Sequence, residues 1–372
     1  MFFFELLQLA LGNREALSAV PTDKEWNEIY VDSQRQAVTG VALHGLEKLT
    51  KEQMPPQELL LQWIGTSQMI SQRNAVMDGR CVKLLDRLKE ADVRGTILKG
   101  QGIAQLYGEE LRPLRQSGDI DVYVDCGLEG ALVFAKRQGQ TEVDWDYKHL
   151  HLKIWDDTEV EMHYRVEVLL NLRKNRRLQR WFKEHEKELF NQDGTLKENT
   201  DNTNFTNGFV MPSVEFNVLY ILLHIYRHFL YEGVGLRQIV DYYMVLRKVQ
   251  EFKGLTVQEY VDAVGEFGMK RFARGLMWVM QEVLGMPREW MLWEPDEKEG
   301  RYILKQVMTG GNFGHHDERL KHSGGKVGAV KAILTHNMHL LTHYPSDVVW
   351  APAWIVWHKL WKMWIQFKGL RV

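Results

Sequence analysis

The chain has 372 residues, of which 45% are apolar and 26% charged, and its formal net charge is −2 at pH 7. This composition is typical of a globular protein with two or three domains. The near-neutral charge argues against non-specific coating of nucleic acid, which needs a basic excess, but it does not exclude a local basic groove. Only two cysteines occur, Cys81 and Cys126, and they lack metal-binding spacing, which indicates a reducing compartment and a cytoplasmic location.

The first residues, "MFFFELLQLALG", predict a short amphipathic helix that packs on the body of the protein. An export signal is not expected, because no basic region precedes the apolar residues and Glu5 and Gln8 interrupt them. The sequence has no uncharged apolar run of about 18 residues, so we expect neither a transmembrane helix nor stable membrane insertion.

Residues 1–91 predict an N-terminal helical segment. The stretch "WNEIYVDSQRQAVTGVALHGLEKL" has apolar residues at helical spacing, and "MPPQ" at 54–57 marks a break. A long helix is expected over 57–90, and residues 92–95 then supply a turn.

Residues 92–209 predict a small mixed sheet. "TILK" and "DIDVYVD" are β-rich runs separated by the helical stretch "GQGIAQLYGEEL", and "LEGALVFAKRQG" follows as a second helix. In "YKHLHLKIWDDTEVEMHYRV" two alternating runs flank Asp156 and Asp157, which predicts a hairpin. The expected order is β-α-β-α-β-β, followed by a polar loop or connector over 190–209.

Residues 210–372 predict a C-terminal helical domain, with Ser213 as the cap of its first helix. "GLRQIVDYYMVLRKVQEF" and "EWMLW" continue the helical pattern, and a glycine-rich polar loop contains "HHDER" at 315–319. The last helix carries a stripe of tryptophans that we expect to pack on the helical domain, with a partner groove or a membrane surface as the alternative. These tryptophans are Trp350, Trp354, Trp357, Trp361 and Trp364. The fold class is therefore α+β, a small mixed sheet flanked by helical segments.

Acidic residues with strand spacing form the first candidate site. Asp119 and Asp121 are two residues apart in "RPLRQSGDIDVYVD", and Glu159, Glu161 and His163 share one face of the second hairpin strand. A mixed sheet can place one of the glutamates beside the aspartates. Converging carboxylates repel one another unless a cation is bound, and hard oxygen ligands suit Mg²⁺ or Mn²⁺. The alternative is a solvated strand face.

A phosphate-binding turn is the second candidate. The chain passes from a strand through Lys99-Gly100 into a helix, where free backbone N–H groups and the lysine charge can hold phosphate. Arg115 adds positive charge just before the turn at Ser117 and Gly118. The alternative is an ordinary strand-to-helix turn with surface bases. Neither G-x-G-x-x-G nor G-K-[ST] is present, which excludes Rossmann and P-loop sites.

Four segments together resemble a bacterial family of uncharacterised nucleotidyltransferases within the polymerase-β-like superfamily. They are "ILKGQGIAQLYG", "LRPLRQSGDIDVYVD", "VEMHYRV" and "HIYRHFLYEGVGLRQIVDYY", which span most of the chain. In that family a strand ends in Leu-Lys-Gly, a Gly-Asp-x-Asp strand follows, and Glu-x-His lies on a neighbouring strand. The matching residues here are 98–100, 118–121 and 161–163.

The resemblance implies a two-metal transfer of a nucleoside monophosphate from an NTP, such as ATP, to a hydroxyl, with release of pyrophosphate. It implies that Asp119, Asp121 and Glu161 are the catalytic, metal-binding carboxylates, with Glu161 preferred because it precedes x-His. Ser117 and Gly118 would contact phosphate. The wider superfamily has Gly-Ser or Gly-Gly before its first helix, so Lys99-Gly100 would hold the triphosphate differently.

The sequence leaves the acceptor open between a small molecule, a protein side chain and a tRNA end, and it does not indicate the oligomeric state. The alternative function is a non-catalytic interaction module that keeps the fold and docks a partner through the Trp-rich helix. His224 and His228 are expected to be buried or acceptor-lining histidines rather than half a zinc site. Arg237 and Asp241 are expected to pair along their helix.

Overall fold

A computed structural model of the protein describes residues 2–190, 209–252, 254–312 and 340–367. The described residues form two compact units. The helical unit lies within Met1–Val76, Ala104–Ser117 and Asn217–Ala332, and the sheet unit lies within Met77–Ile103, Gly118–Phe216 and Ile333–Val372. The units alternate along the chain, and the division into three consecutive domains, 1–91, 92–209 and 210–372, stays a prediction.

The helices and strands are named here in chain order. They are α1 (Phe2–Leu11), α2 (Asp23–Arg35), α3 (Thr39–Leu46), α4 (Gln57–Glu90), β1 (Gly95–Ile97), α5 (Gln101–Ala104), α6 (Gly108–Leu111), β2 (Ile120–Val124), α7 (Gly127–Arg137), β3 (His149–Trp155), β4 (Thr158–His163), α8 (Leu172–Glu184), α9 (Val214–Tyr231), α10 (Leu236–Glu251), α11 (Gln258–Glu266), α12 (Lys270–Leu284), α13 (Glu297–Gly310), α14 (Pro345–Val348) and α15 (Ala351–Phe367). None of the helices in the described part of the chain is both long and apolar enough to cross a membrane.

The N-terminal helix α1 is an integral part of the helical unit, which confirms the helix predicted there. Leu6, Leu7 and Leu9 are fully buried, and α1 packs on α3 and α12. The approach to α3 is close, since a Cβ added to Gly45 would lie 2.4 Å from the Leu6 carbonyl oxygen. The helix ends before Gly12, whose φ of +78° favours glycine.

The sheet of the sheet unit has the strand order β1-β2-β4-β3. The two central strands, β2 and β4, run parallel, whereas β1 pairs antiparallel with β2 and β3 antiparallel with β4. The predicted order β-α-β-α-β-β and the hairpin at residues 156–157 are therefore confirmed. All five residues of β2 are buried, as expected of a central strand covered on both faces.

The C-terminal half of α4 supplies one wall of the sheet-unit core. Met77, Cys81, Leu84 and Leu88 recur at steps of three and four residues and are fully buried in one cluster with the apolar residues of β1, β2 and β4. A Cβ at Gly95 would lie 2.6 Å from Leu88 Cδ1, so glycine at the start of β1 allows strand and helix to pack closely.

The tryptophan stripe of α15 packs on the sheet unit, which corrects the expectation that it covers the helical domain. The rings of Trp354, Trp357 and Trp361 lie 4.8–5.5 Å from the ring of Tyr147, and Trp361 also contacts Trp145. These two aromatic partners precede β3, and the sequence pattern of α15 carries no information about them. The outward face of α15 exposes Val356, Leu360, Met363 and Phe367.

One helical prediction was wrong in detail. The stretch "EWMLW" forms only a 3₁₀ turn at Arg288–Trp290, the backbone is extended at Met291, and Pro295 shortly after it would break a longer helix. The stretch after Lys99-Gly100 is helical, as predicted, and consists of short helical turns with a break at Gly108, whose φ is +76°. "HHDER" and residues 191–208 of the predicted loop lie outside the described residues.

Candidate active site

The register of the central strands brings two of the predicted carboxylates together. Asp121 on β2 is paired with Glu161 on β4, and neighbouring residues of paired strands project to the same face. His163, two residues further along β4, lies on that face as well. Asp119 precedes β2 and stands outside the strand ladder, while Glu159 pairs with His151 on the neighbouring strand β3.

Asp121 is the centre of a buried charge cluster and is only 1% exposed, which excludes a solvated strand face. Its Oδ1 lies 2.9 Å from Lys99 Nζ and 2.9 Å from His163 Nε2. His163 Nε2 also lies 3.2 Å from Glu161 Oε2. Lys99 thus supplies the positive charge that the converging carboxylates require, at a place where the sequence predicted a phosphate contact.

The second oxygen of Asp121 has no hydrogen-bond partner among the residues that the structure describes. Oδ2 is buried, and none of the described residues donates to it. Buried carboxylate oxygens are almost always hydrogen-bonded to protein or water or bound to a cation, so this oxygen can accept from a water molecule or bind a cation. This oxygen is the feature of the cluster that an ion pair with Lys99 and His163 does not explain.

The two paired carboxylates have opposite pKa shifts. Burial, reinforced by the charge of Asp119, raises the pKa of Asp121 against the opposing effects of Lys99 and His163. Burial also acts to raise the pKa of Glu161, but the hydrogen bond to His163 and the charge of Lys99 outweigh it and lower that pKa strongly. Glu161 therefore keeps its negative charge, and Asp121 is the more basic of the two.

Two further histidines face Glu161 from β3. His149 Nε2 lies 3.3 Å from His151 Nε2 and 3.7 Å from Glu161 Oε1. Burial and the neighbouring charge of His163 lower the pKa of His149 to about 3. Asp121, Glu161 and His163 form one group able to hold a metal ion, and His149, His151 and Glu161 form a second.

The sequence prediction missed His149 and His151 as candidate ligands. Both histidines could have been found from "HLH" and "EMH" on the two hairpin strands, since register pairs His149 with His163 and His151 with Glu161. Asp119 belongs to neither group within the described residues, although its charge raises the pKa of Asp121.

The Lys99-Gly100 turn is held against β2 by the backbone. The N–H of Leu98 donates to the carbonyl of Asp121 over 2.9 Å, which places the next residue, Lys99, beside the Asp121 carboxylate. Gly100 has φ +59°, a conformation that favours glycine. Helix α5, which follows, has only four residues, so its dipole contributes little to anion binding.

Arg115 belongs to the helical unit, where it is buried against Asp241. Its Nε donates to Oδ1 over 2.6 Å and its Nη2 to Oδ2 over 2.7 Å, and Tyr107 also donates to Oδ1 over 2.6 Å. Helical spacing predicts that Arg237 pairs with Asp241, and Nη1 of Arg237 donates to the carbonyl of Gln116 over 3.1 Å. The pairing of Arg237 with Asp241 stays a prediction. The phosphate contact predicted for Arg115 stays a prediction.

Ser117 and Gly118 differ in exposure. Ser117 Oγ is buried and has no hydrogen-bond partner among the described residues, whereas Gly118 is exposed. In the helical unit, His224 and His228 are both buried, as predicted, and neither belongs to a group of potential metal ligands in the described part of the chain.

The candidate active site lies on an α+β fold, where the two central parallel strands of a mixed four-stranded sheet carry a buried acidic pair. The comparison with protein families is specific. A family model described as uncharacterised nucleotidyltransferase matches residues 22–285, and the chain belongs to this family. The matched region contains all four strands. Searches of curated proteins and of solved structures gave no match.

The family match confirms the resemblance at the level of the nucleotidyltransferase domain. The bacterial origin of the family and its place in the polymerase-β-like superfamily stay predictions. Membership supports a transferase that uses an NTP.

Proposed function

We propose that the protein transfers a nucleoside monophosphate from an NTP, such as ATP, to a hydroxyl group of an acceptor and releases pyrophosphate, in the cytoplasm. The observation that carries the proposal is the pairing of Asp121 with Glu161 on parallel strands, with one buried Asp121 oxygen that has no partner in the described ranges. Family membership supplies the reaction class.

The residues present fit a hard divalent cation. Asp119, Asp121 and Glu161 offer carboxylate oxygens, the donors that Mg²⁺ and Mn²⁺ prefer, and the unpartnered Oδ2 of Asp121 is a ready ligand atom. Two such ions would activate the attacking hydroxyl and stabilise the leaving pyrophosphate.

Protein side chains accept the proton of the attacking hydroxyl and contact the phosphates. Asp121, whose pKa burial raises, accepts the proton of the attacking hydroxyl, whereas Glu161 keeps its charge. Lys99 neutralises Asp121 in the free enzyme and is positioned to pair with the triphosphate when it binds. Further phosphate contacts are proposed for Gly100, Arg115, Ser117 and Gly118.

The test is Asp121→Asn, which keeps the shape of the side chain and removes its charge. We expect a loss of Mg²⁺-dependent pyrophosphate release of at least ~10³-fold, or about 4 kcal/mol. Asp125→Asn is the matched control, because Asp125 directly follows β2 and binds Arg94 instead. Equal turnover in the Asp121 variant and the wild type would refute the site.

The acceptor is a separate question, open between a small molecule, a protein and a tRNA. Incubating the protein with labelled NTPs and fractionated cell extract, and asking which fraction becomes labelled, identifies its class. The same incubation with Asp121→Asn serves as the background.

A second candidate function is an interaction module without catalysis, and the exposed apolar face of α15 favours it. Val356, Leu360 and Met363 are each at least 60% exposed, although they lie on the helix whose other face is packed. A thermal shift with Mg²⁺ and each of the four NTPs separates the two functions. Stabilisation by any Mg²⁺–NTP pair supports the transferase, and its absence for all four supports the module.

A further inference from the structure

We infer that the β3–β4 face carries a second metal site, formed by His149, His151 and Glu161, that binds a borderline transition ion of the Zn²⁺ and Co²⁺ type. The inference goes beyond the proposed nucleotidyl transfer and does not depend on it. The site uses Glu161 Oε1, which faces His149, whereas Oε2 faces His163. The proposed reaction assigns no role to Oε1.

The ligand atoms have the spacing of one coordination sphere. Nitrogens held at about 2.0–2.1 Å by one tetrahedral ion lie about 3.3 Å apart. His149 Nε2 and His151 Nε2 are 3.3 Å apart, and Glu161 Oε1 lies 3.7 Å from His149 Nε2. The ligand atoms of the two histidines on β3 and of the glutamate on β4 all lie within 4.8 Å of one another, as required of a shared ion.

An exposed carboxylate orients one of the histidines. His151 Nδ1–H donates to Glu159 Oε1 over 2.7 Å, and this hydrogen bond leaves the lone pair on Nε2, the atom that faces His149. A carboxylate that accepts from the distal nitrogen of a metal-bound histidine is the usual support of zinc ligands. In His151 the supporting carboxylate binds Nδ1, and Nε2 is left to bind the metal ion.

The two sides of Glu161 differ in the ions they suit. Oε2 faces His163 and, beyond it, Asp121, which belongs with the carboxylates that prefer Mg²⁺ or Mn²⁺. Oε1 faces two imidazoles, and imidazole suits Zn²⁺, Co²⁺ and Ni²⁺. The side chain of His151 is 32% exposed, so an ion can reach the site from solvent.

The alternative for the 3.3 Å contact is a single proton shared by His149 and His151. It predicts no metal affinity that depends on His151. Co²⁺ distinguishes the two explanations, because its visible absorption bands intensify in a tetrahedral nitrogen–oxygen site.

The experiment is a Co²⁺ titration of the chelator-treated full chain, followed by visible absorption and repeated as a displacement by Zn²⁺. We expect one Co²⁺ with tetrahedral bands in the wild type and at least ~100-fold weaker binding in His151→Ala. Glu159→Gln, on a 62% exposed side chain, should weaken binding ~10–100-fold and shift the bands. Lys153→Ala, on the same strand, is the matched control and should bind as the wild type does.

Unchanged Co²⁺ bands in both His151→Ala and Glu159→Gln would overturn the inference. So would loss of the bands in Asp121→Asn alone, since the ion would then occupy the predicted Mg²⁺ site. Nucleotidyl transfer is tested separately, by Mg²⁺-dependent pyrophosphate release, so failure of this inference and failure of the proposed function are distinguishable.

Discussion

Two buried charge clusters, one in each unit, contain similar groups but differ in how completely their carboxylates are hydrogen-bonded. The helical cluster consists of Tyr107, Arg115 and Asp241, and the sheet cluster consists of Lys99, Asp121, Glu161 and His163. In the helical unit, the Asp241 carboxylate receives a bidentate pair of hydrogen bonds from Arg115 and a third from Tyr107. In the sheet unit, Lys99 and His163 both approach the same oxygen of Asp121, and the other oxygen has no partner in the described part of the chain.

The difference teaches how a structural ion pair can be told from a ligand site. The free-energy cost of desolvating a carboxylate is offset when both of its oxygens are hydrogen-bonded, as they are in Asp241. A carboxylate that is equally buried but half-satisfied is retained for another reason, and binding of a cation provides one. Burial alone would not separate the two residues, because Asp121 and Asp241 are 1% and 5% exposed.

The largest effect on the free energy of unfolding is expected from a substitution in the helical cluster. Asp241→Asn leaves the Arg115 guanidinium buried without its counter-charge, and we expect the free energy of unfolding to fall by about 3–5 kcal/mol. Asp121→Asn should change it by less than about 1 kcal/mol, because Glu161 remains near Lys99 and one buried like charge is removed. Urea unfolding of the full chain, followed by fluorescence, measures both values.

The double variant Arg115→Met with Asp241→Leu serves as the control, because it replaces the pair by apolar groups of similar size. It should recover most of the lost stability. Equal losses in Asp241→Asn and Asp121→Asn would show that the sheet cluster is a structural ion pair as well.

The next effect concerns Lys99, which competes with a metal ion for Asp121. Lys99→Met removes this competitor, so we expect Mn²⁺ to bind about tenfold more tightly, which corresponds to about 1.4 kcal/mol. NTP affinity at saturating Mn²⁺ should fall, because the lysine charge no longer meets the triphosphate. Calorimetric titration with Mn²⁺ and then with NTP gives both numbers, and Lys99→Arg is the charge-preserving control. Weaker Mn²⁺ binding in Lys99→Met would contradict the assigned competition.

Local periodicity predicts the strands that carry the sheet cluster, and these strands are confirmed. Period-two alternation marks β2 and the hairpin, and i,i+2 spacing puts Glu161 and His163 on one face. The pairing of Asp121 with Glu161 rather than Glu159 came from the family motif, and the register of β2 with β4 provides the structural counterpart.

The remaining contacts lie beyond sequence periodicity, because they join residues far apart in the chain. Arg115 and Asp241 are separated by 126 positions, and Lys99 reaches Asp121 only because β1 pairs with β2. The tryptophans of α15 likewise meet Tyr147, which no helical pattern indicates. A single sequence shows which faces are apolar or charged, whereas the partner of each face follows from the packing of whole elements.

The smallest expected effect is a difference in pH dependence between the clusters. Burial alone would lower the pKa of His163, but its hydrogen bonds to Asp121 and Glu161 outweigh burial and raise it above the ordinary value. Above pH ~6.5 the unfolded chain releases this proton while the folded chain keeps it, so stability falls as the pH rises through the folded-state pKa. The slope of this loss is at most about 1.4 kcal/mol per pH unit.

The helical cluster should contribute no such slope. Asp241 holds the pKa of Arg115 above its usual value although burial opposes this, and burial together with Asp241 raises the pKa of Tyr107. Both groups keep their protons between pH 6 and 9. Urea unfolding in chelator across this range should therefore show a decline that His163→Asn removes and Arg115→Met with Asp241→Leu retains. A decline that persists in His163→Asn would assign the titration to another group and would remove the electrostatic distinction between the clusters.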